Sequence, residues 1–253
     1  MKKIILLFVL LLKSTLLFAQ FKSNYAATYQ MDYTYYDKAD SEQFILLIDT
    51  KNDRSFFTSS TNFSMDSLSQ VNPTEMNPYG TDFKEIVWRD KRNFTVFDKA
   101  KDVKLAYHEK EELNWEILDK IKKTENGNSL QLAKTKAYGR IWYAWFSKEI
   151  PINCGPYKFR GLPGFIVSIY DDKKEIIFTL QQFKKKEKSV LLPKVKSYKV
   201  LPKKDFNKIR YKIQISDDGV VLFNNSKEKE DWFRGVIKRY STLPLLDNQY
   251  PIK

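Results

Sequence analysis

From Tyr25 onward, apolar and polar residues alternate with a period of two, and clusters of turn-forming residues interrupt the alternation. Tyr29, Met31, Tyr33 and Tyr35 share one parity of the segment 25–36, and further runs of this kind occupy 44–48, 54–58, 85–88, 93–97, 104–108 and 115–118. Later ones fall at 139–147, 165–170 and 175–183. Successive side chains of a strand point to opposite faces, so this period predicts strands. Asp49–Asp53, Arg89–Arg92, Asn126–Asn128 and Asp171–Lys174 supply the turns, and links this short join antiparallel neighbours. The polar, Pro-containing stretch 59–82, with turns at Asn72-Pro73 and Asn77-Pro78-Tyr79-Gly80, reads as a long excursion beside a functional rim or as a partly mobile connection. Helix is scarce: Lys203–Arg210 follows Pro202 with Phe206, Ile209 and Arg210 on one face, and Trp232, Val236 and Tyr240 recur at four within Glu228–Tyr240. The expected fold is mainly β, a curved antiparallel meander sheet or an open barrel with one or two helices packed on it.

Two segments depart from simple alternation. In Gly139–Phe146 both parities are apolar, with Trp142 and Phe146 on one side and Ile141, Tyr143 and Trp145 on the other. Such a strand is either covered on both faces or lends one face to a groove for an apolar or aromatic ligand. On the groove reading Arg140, Trp142, Tyr143 and Trp145 are binding residues. The second segment, Gly155-Pro156-Tyr157-Lys158-Phe159-Arg160-Gly161-Leu162-Pro163-Gly164, places three glycines and two prolines before the strand-like Phe165–Tyr170. Each Pro fixes its own φ and pushes the residue before it toward extended geometry, while Gly admits angles a side chain forbids. Gly155, Pro156, Lys158, Phe159, Gly161, Leu162, Pro163 and Gly164 therefore read as a structural elbow, scaffold rather than reaction machinery.

Through these residues the chain resembles the GLPGLI family of secreted proteins from Gram-negative bacteria. Gly161-Leu162-Pro163-Gly164-Phe165-Ile166 is the name-giving hexapeptide with Phe165 in place of the usual Leu, preceded by a matching Gly155-Pro156-Tyr157-Lys158-Phe159. Lys136-Ala137, Gly139-Arg140, Trp142, Ala144-Trp145-Phe146 and Glu149-Ile150-Pro151 also fit, so the likeness spans roughly residues 115 to 180. The Cys often found shortly before the Lys-Ala pair is absent, and with it the basis for a family disulfide. The resemblance implies secretion and a shared fold and supplies no catalytic residues.

The N-terminus carries its own signal. Lys2-Lys3, the apolar run Ile4–Leu12 and the exit Leu17-Phe18-Ala19-Gln20 form the pattern of a secretory signal peptide over residues 1–20, cut after Ala19 or Gln20. The apolar run is too short to span a bilayer, and no transmembrane span is expected. The remaining residues, 21–253, are enough for a single β-rich domain, exported to the periplasm or the cell surface. Without Lys2, Lys3 and Lys13 the net charge falls from +13 to +10, and the segment Lys184–Lys212, with twelve basic and two acidic residues, carries all of it. Lys194, Lys196, Tyr198 and Val200 alternate there with Val195, Ser197 and Lys199 as on a lysine-guarded edge strand, or Lys194, Lys196 and Lys199 form a docking face for an anionic envelope component. Secretion and the localised charge argue against nucleic acid as the partner.

Catalytic chemistry finds little material. One histidine, His108, and one cysteine, Cys154, cannot build a Cys/His metal cage. Cys154 cannot form an internal disulfide and reads as a small buried residue beside the elbow. No cofactor motif is present: the glycines at 155, 161 and 164 precede a strand and not a helix. The carboxylates Asp171-Asp172, Glu109-Glu111-Glu112 and Glu228-Glu230-Asp231 leave a glycan hydrolase as the third alternative. Ahead of it stand a noncatalytic envelope protein that binds a partner protein or envelope component, and a carrier of an apolar small ligand in a groove of the sheet.

Overall fold

A computed structural model describes residues 20–35, 38–64, 81, 83–110, 113–216, 225–242 and 246–247. All of the signal-peptide segment except Gln20 lies outside these residues, as do Glu111, Glu112 and most of the stretch 59–82. Twelve strands form one sheet: β1 (Gln20–Tyr35), β2 (Lys38–Asp49), β3 (Arg54–Ser59), β4 (Ile86–Asp90), β5 (Asn93–Ala100), β6 (Val103–Lys110), β7 (Glu116–Lys123), β8 (Ser129–Ala137), β9 (Arg140–Ser147), β10 (Phe165–Asp171), β11 (Ile176–Leu191) and β12 (Lys199–Val200). Two helices, α1 (Lys203–Gln214) and α2 (Ser226–Thr242), follow.

The strand order β12-β6-β5-β4-β3-β2-β1-β11-β10-β9-β8-β7 resolves into two meanders, β1–β6 and β7–β11. They are zipped together by the long antiparallel pair β1·β11, from Gln20↔Leu191 to Tyr33↔Ile176. The short β12 departs from the antiparallel rule and runs parallel to β6. β6 and β7 stand ten strand spacings apart in the sheet order, yet only residues 111–115 separate them in sequence. A flat sheet would put them roughly 50 Å apart at the usual strand spacing, whereas the link reaches about 20 Å fully extended. The sheet must therefore curl until its edges approach, which yields an open barrel whose end strands do not pair.

The curled sheet buries its inner face in one core that draws on both meanders, among them Tyr29, Phe44, Phe57, Val96 and Tyr107 from the first and Ala133, Trp142 and Phe146 from the second. Phe44 stacks on Phe57 at 5.1 Å and meets Phe178 edge-on at 5.6 Å. A smaller cluster of Phe21, Ile45, Leu47, Phe56 and Phe97 covers the opposite face of β1–β6, with Phe63, Trp88 and Tyr198 against it. Of the two helices, α1 buries Phe206 edge-on against Tyr107, ring centroids 4.7 Å apart. α2 leaves its described side chains exposed or half-exposed.

Two differences from the sequence pattern are instructive. β8 escapes the periodicity because its inward positions are small: Ala133, Thr135 and Ala137 are buried under the bulk of neighbouring aromatic residues. β11 continues to Leu191, well past Phe183, and Lys184–Lys188 lie on it. Its described pairing with β10 stops at Thr179, so these lysines line a stretch that only β1 holds. Lysine on an open edge discourages unwanted strand pairing.

Candidate functional site

The elbow enters the barrel between β9 and β10 and plugs its interior. Gly161 adopts φ +103°, and its amide donates to Asn153 Oδ1. Gly164 is needed for a different reason, close approach: a Cβ there would stand 2.2 Å from the Ser147 carbonyl oxygen. Tyr157 takes a left-handed φ of +55° without being glycine, a conformation that persists only where packing imposes it. Here both flanks impose it. Phe159 lies against Trp142 at 4.7 Å and Tyr138 at 5.3 Å, and the Trp115 indole donates to the Arg160 carbonyl at 2.6 Å. Cys154 is buried, and its carbonyl accepts the Ile166 amide at 3.0 Å.

This geometry drives Lys158 into the core, where its side chain is fully enclosed. The ammonium donates to Asp247 Oδ2 at 2.7 Å, to Glu109 Oε1, and to the Tyr107 hydroxyl at 3.3 Å. The rings of Tyr138, Tyr157 and Tyr107 surround it at 4.2, 4.8 and 5.6 Å. Lys203 of α1 completes the cluster, 2.5 Å from Glu109 and 3.2 Å from Asp247. Burial works against the Lys158 charge, but Tyr107, Asp247 and Glu109 outweigh it and hold the ammonium well above the ordinary lysine range. Lys158 is thus a permanent cation, unsuited to act as a nucleophile or base, which would require a depressed pKa. Its effect is to tie the elbow, β6, α1 and the segment at Asp247 to one point.

A second buried pair adjoins it. Arg210 of α1 donates to Glu85 and Asp98, each at 2.8 Å. Together the two groups hold three cations (Lys158, Lys203, Arg210) and four carboxylates (Glu109, Asp247, Glu85, Asp98). Glu85 is the surplus acid. Its Oε2 is buried with no hydrogen-bond partner among the described residues, and burial, opposed by Arg210, pushes its carboxyl up to about 7. Burial also raises the hydroxyls of Tyr29, Tyr107 and Tyr157. The elbow therefore does carry converging acids, but around an enclosed ammonium and not around an open pocket. No local pattern marks these partners: Glu109 and Asp247 stand 49 and 89 residues from Lys158.

The residues singled out as binding residues do not assemble into one site. Trp142 faces the core, fully buried, and its indole donates to the Ala137 carbonyl at 3.0 Å, so it cannot line a groove. Arg140 is held by Asp171 at 2.8 Å and Glu175 at 2.5 Å. Tyr143 and Trp145 lie on the opposite, outer face and are half-buried. Tyr143 stacks on Tyr170 of β10 at 5.7 Å, Lys134 sits 5.9 Å from the Tyr143 ring, and Lys122 of β7 lies 4.4 Å from the Trp145 ring. Lys194, Lys196 and Lys199 are exposed, but Lys194 and Lys196 flank and occupy a 3-10 turn (Val195–Ser197) rather than an edge strand. Only Lys199 belongs to a strand, β12, at the far end of the sheet from β7. The strand β9 is thus covered on one face and half-open on the other.

The acids considered for hydrolysis are separated as well. Asp171 is sealed against Arg140 and the Ile176 amide, Glu109 is bound to Lys158, and Asp231 pairs with Arg234 on the exposed α2. His108 is exposed, its Nδ1 2.9 Å from Thr95 Oγ1. Among the described residues no group of three or more His, Cys, Asp or Glu side chains converges as a metal site requires. None of the described helices is long and apolar enough to cross a membrane. Two cavities, of about 290 Å³ beside Cys154 and about 200 Å³ beside Arg140, lie away from Trp142, Tyr143 and Trp145.

Comparison with known proteins adds little chemistry to this geometry. No curated protein matches the chain. Two solved structures of PNGF-II, in space groups C2 and P21, are similar at 11% identity with TM-scores of 0.48 and 0.49. Each alignment covers 75% of this chain and 33% of PNGF-II, so the chain spans about a third of that protein's length, and a likeness at this level carries no argument about activity. Residues 90–168, which hold Glu109, Trp142 and the whole elbow, match the model of a protein family of unknown function, Porph_ging.

Proposed function

We propose that the protein is an exported, noncatalytic binding protein of the cell envelope, and that it meets an anionic envelope component through the outer face of β7–β10. The observation that carries this reading is the pairing of half-exposed rings with ammonium groups: Lys122 over Trp145 at 4.4 Å and Lys134 over Tyr143 at 5.9 Å, beside the stacked Tyr143 and Tyr170. Aromatic side chains offer large contact area at little conformational cost, and lysines at the rim steer an acidic partner. Export rests on the charged, apolar and small-residue pattern of residues 1–20. The noncatalytic character is supported by Lys158, whose ammonium is neutralised by Glu109 and Asp247.

The test is a crosslinked pull-down from the envelope fraction, lipid and polysaccharide included, with the wild-type chain and a Tyr143→Ala/Trp145→Ala variant. Capture of an anionic component that weakens with salt and disappears in the variant is the expected result. Capture that is indifferent to both changes would remove this face from consideration.

A further inference from the structure

The cavity of about 290 Å³ at the approach to the elbow belongs to neither the buried cluster nor the outer face. Its volume sits at the lower end of small-molecule sites, on the order of 300 Å³. Tyr25, Ile48, Pro151 and Ile152 give it an apolar wall, and Cys154 adjoins them. Arg89 stands among the polar residues opposite. This arginine is only 3% exposed. Its Nε donates to Ser55 Oγ at 3.0 Å, and its Nη1 to the Asp53 and Lys91 carbonyls and to Asp53 Oδ1. Its Nη2 makes no hydrogen bond with any described residue and is not among the sealed atoms that lack a partner, so it keeps exposed surface on a side chain that lines the cavity.

The acids in the lining are already engaged. Asp49 accepts the amides of Lys51 and Asn52 and the Asn52 side chain, and Asp53 is shared between Arg89 and Arg160. A charged donor left open in an otherwise satisfied, half-apolar cavity prefers an anionic oxygen. We infer that this cavity is a binding site for a small monocarboxylate with an apolar body, its carboxylate on Arg89 Nη2 and its body against Tyr25, Ile48 and Ile152. The inference is independent of the outer face and stands or falls without it.

Calorimetric titration with octanoate, and with octan-1-ol and methyl octanoate as matched neutral probes, tests it directly. Octanoate is expected to bind saturably at one site, with both neutral probes at least about tenfold weaker. Because Arg89 also supports its surroundings, the site is blocked through Thr50, an exposed residue of the lining. Thr50→Trp should abolish octanoate binding while lowering the unfolding temperature only slightly, through loss of the exposed hydrogen bond from Asn24 Nδ2 to Thr50 Oγ1. The sole thiol, Cys154, gives a second readout, since octanoate should slow its alkylation. Absence of saturable binding, equal affinity for the neutral probes, or undiminished binding by Thr50→Trp would each overturn the assignment.

Discussion

Of the contacts between lysine and aromatic rings among the described residues, two differ in everything except distance. Inside the barrel, Lys158 lies 4.2 Å from the Tyr138 ring; on the outer face, Lys122 lies 4.4 Å from the Trp145 ring. The inner ammonium has lost all contact with water and holds its charge because Asp247 and Glu109 face it. The outer one remains near solvent, where a cation–π contact contributes about 0.5–1 kcal/mol. Burial makes the first contact a fixed part of the fold, and exposure leaves the second free to be exchanged for a partner.

The largest test of that contrast removes the inner cation. Lys158→Met should leave the two buried acids Glu109 and Asp247 sharing Lys203 as counter-charge and lower the unfolding free energy by about 3–5 kcal/mol, read by denaturant titration. Next in size is the surplus acid. The folded-state carboxyl of Glu85 lies near 7 against an ordinary 4.5, so the native protein holds a proton that the unfolded chain releases between those values. Glu85 therefore lowers stability progressively as pH rises from about 4.5 to about 7, by on the order of 3 kcal/mol in all. Glu85→Gln should remove this trend, so that its stability relative to wild type increases across that window. A constant difference would show that Glu85 titrates normally.

A third prediction concerns the elbow that delivers Lys158. Gly164→Ala should destabilise by about 1–3 kcal/mol or more, because the new methyl meets a backbone carbonyl 2.2 Å away. Gly155→Ala should destabilise as well, since its methyl meets the fully buried Ile166 at 2.7 Å from Cδ1 and 2.8 Å from Cβ, an atom the backbone holds in place. The smallest effect is expected outside. Lys122→Ala and Lys134→Ala should each change stability by less than about 1 kcal/mol while weakening capture of the anionic component. If the outer substitutions proved as costly to stability as Lys158→Met, the distinction between fixed and exchangeable contacts would fail.

Much of the architecture was legible in local pattern. Strand positions, hairpin turns, the β-rich class and the two helical segments follow from period-two and period-four spacing, which report one residue's neighbours along the chain. The elbow was legible too, because Gly and Pro restrict backbone angles wherever they occur. β8 was not, since a strand whose inward positions are Ala133, Thr135 and Ala137 shows little apolar alternation. Of the aromatic residues in β9, the pattern placed Trp142 opposite Tyr143 and Trp145 but could not assign either side to the core.

The sequence by itself determined that this chain makes antiparallel ribbons interrupted near the middle by a rigid Gly-Pro corner, because backbone geometry and side-chain alternation are local properties. Only the tertiary structure decided that the ribbons curl until β6 approaches β7, that Lys158 points inward to meet Glu109 and Asp247, and that Arg89, lining a cavity, keeps exposed surface on one nitrogen. Those outcomes depend on which distant groups share a buried volume, and charge in a low-dielectric interior is settled by partners that no neighbouring residue announces.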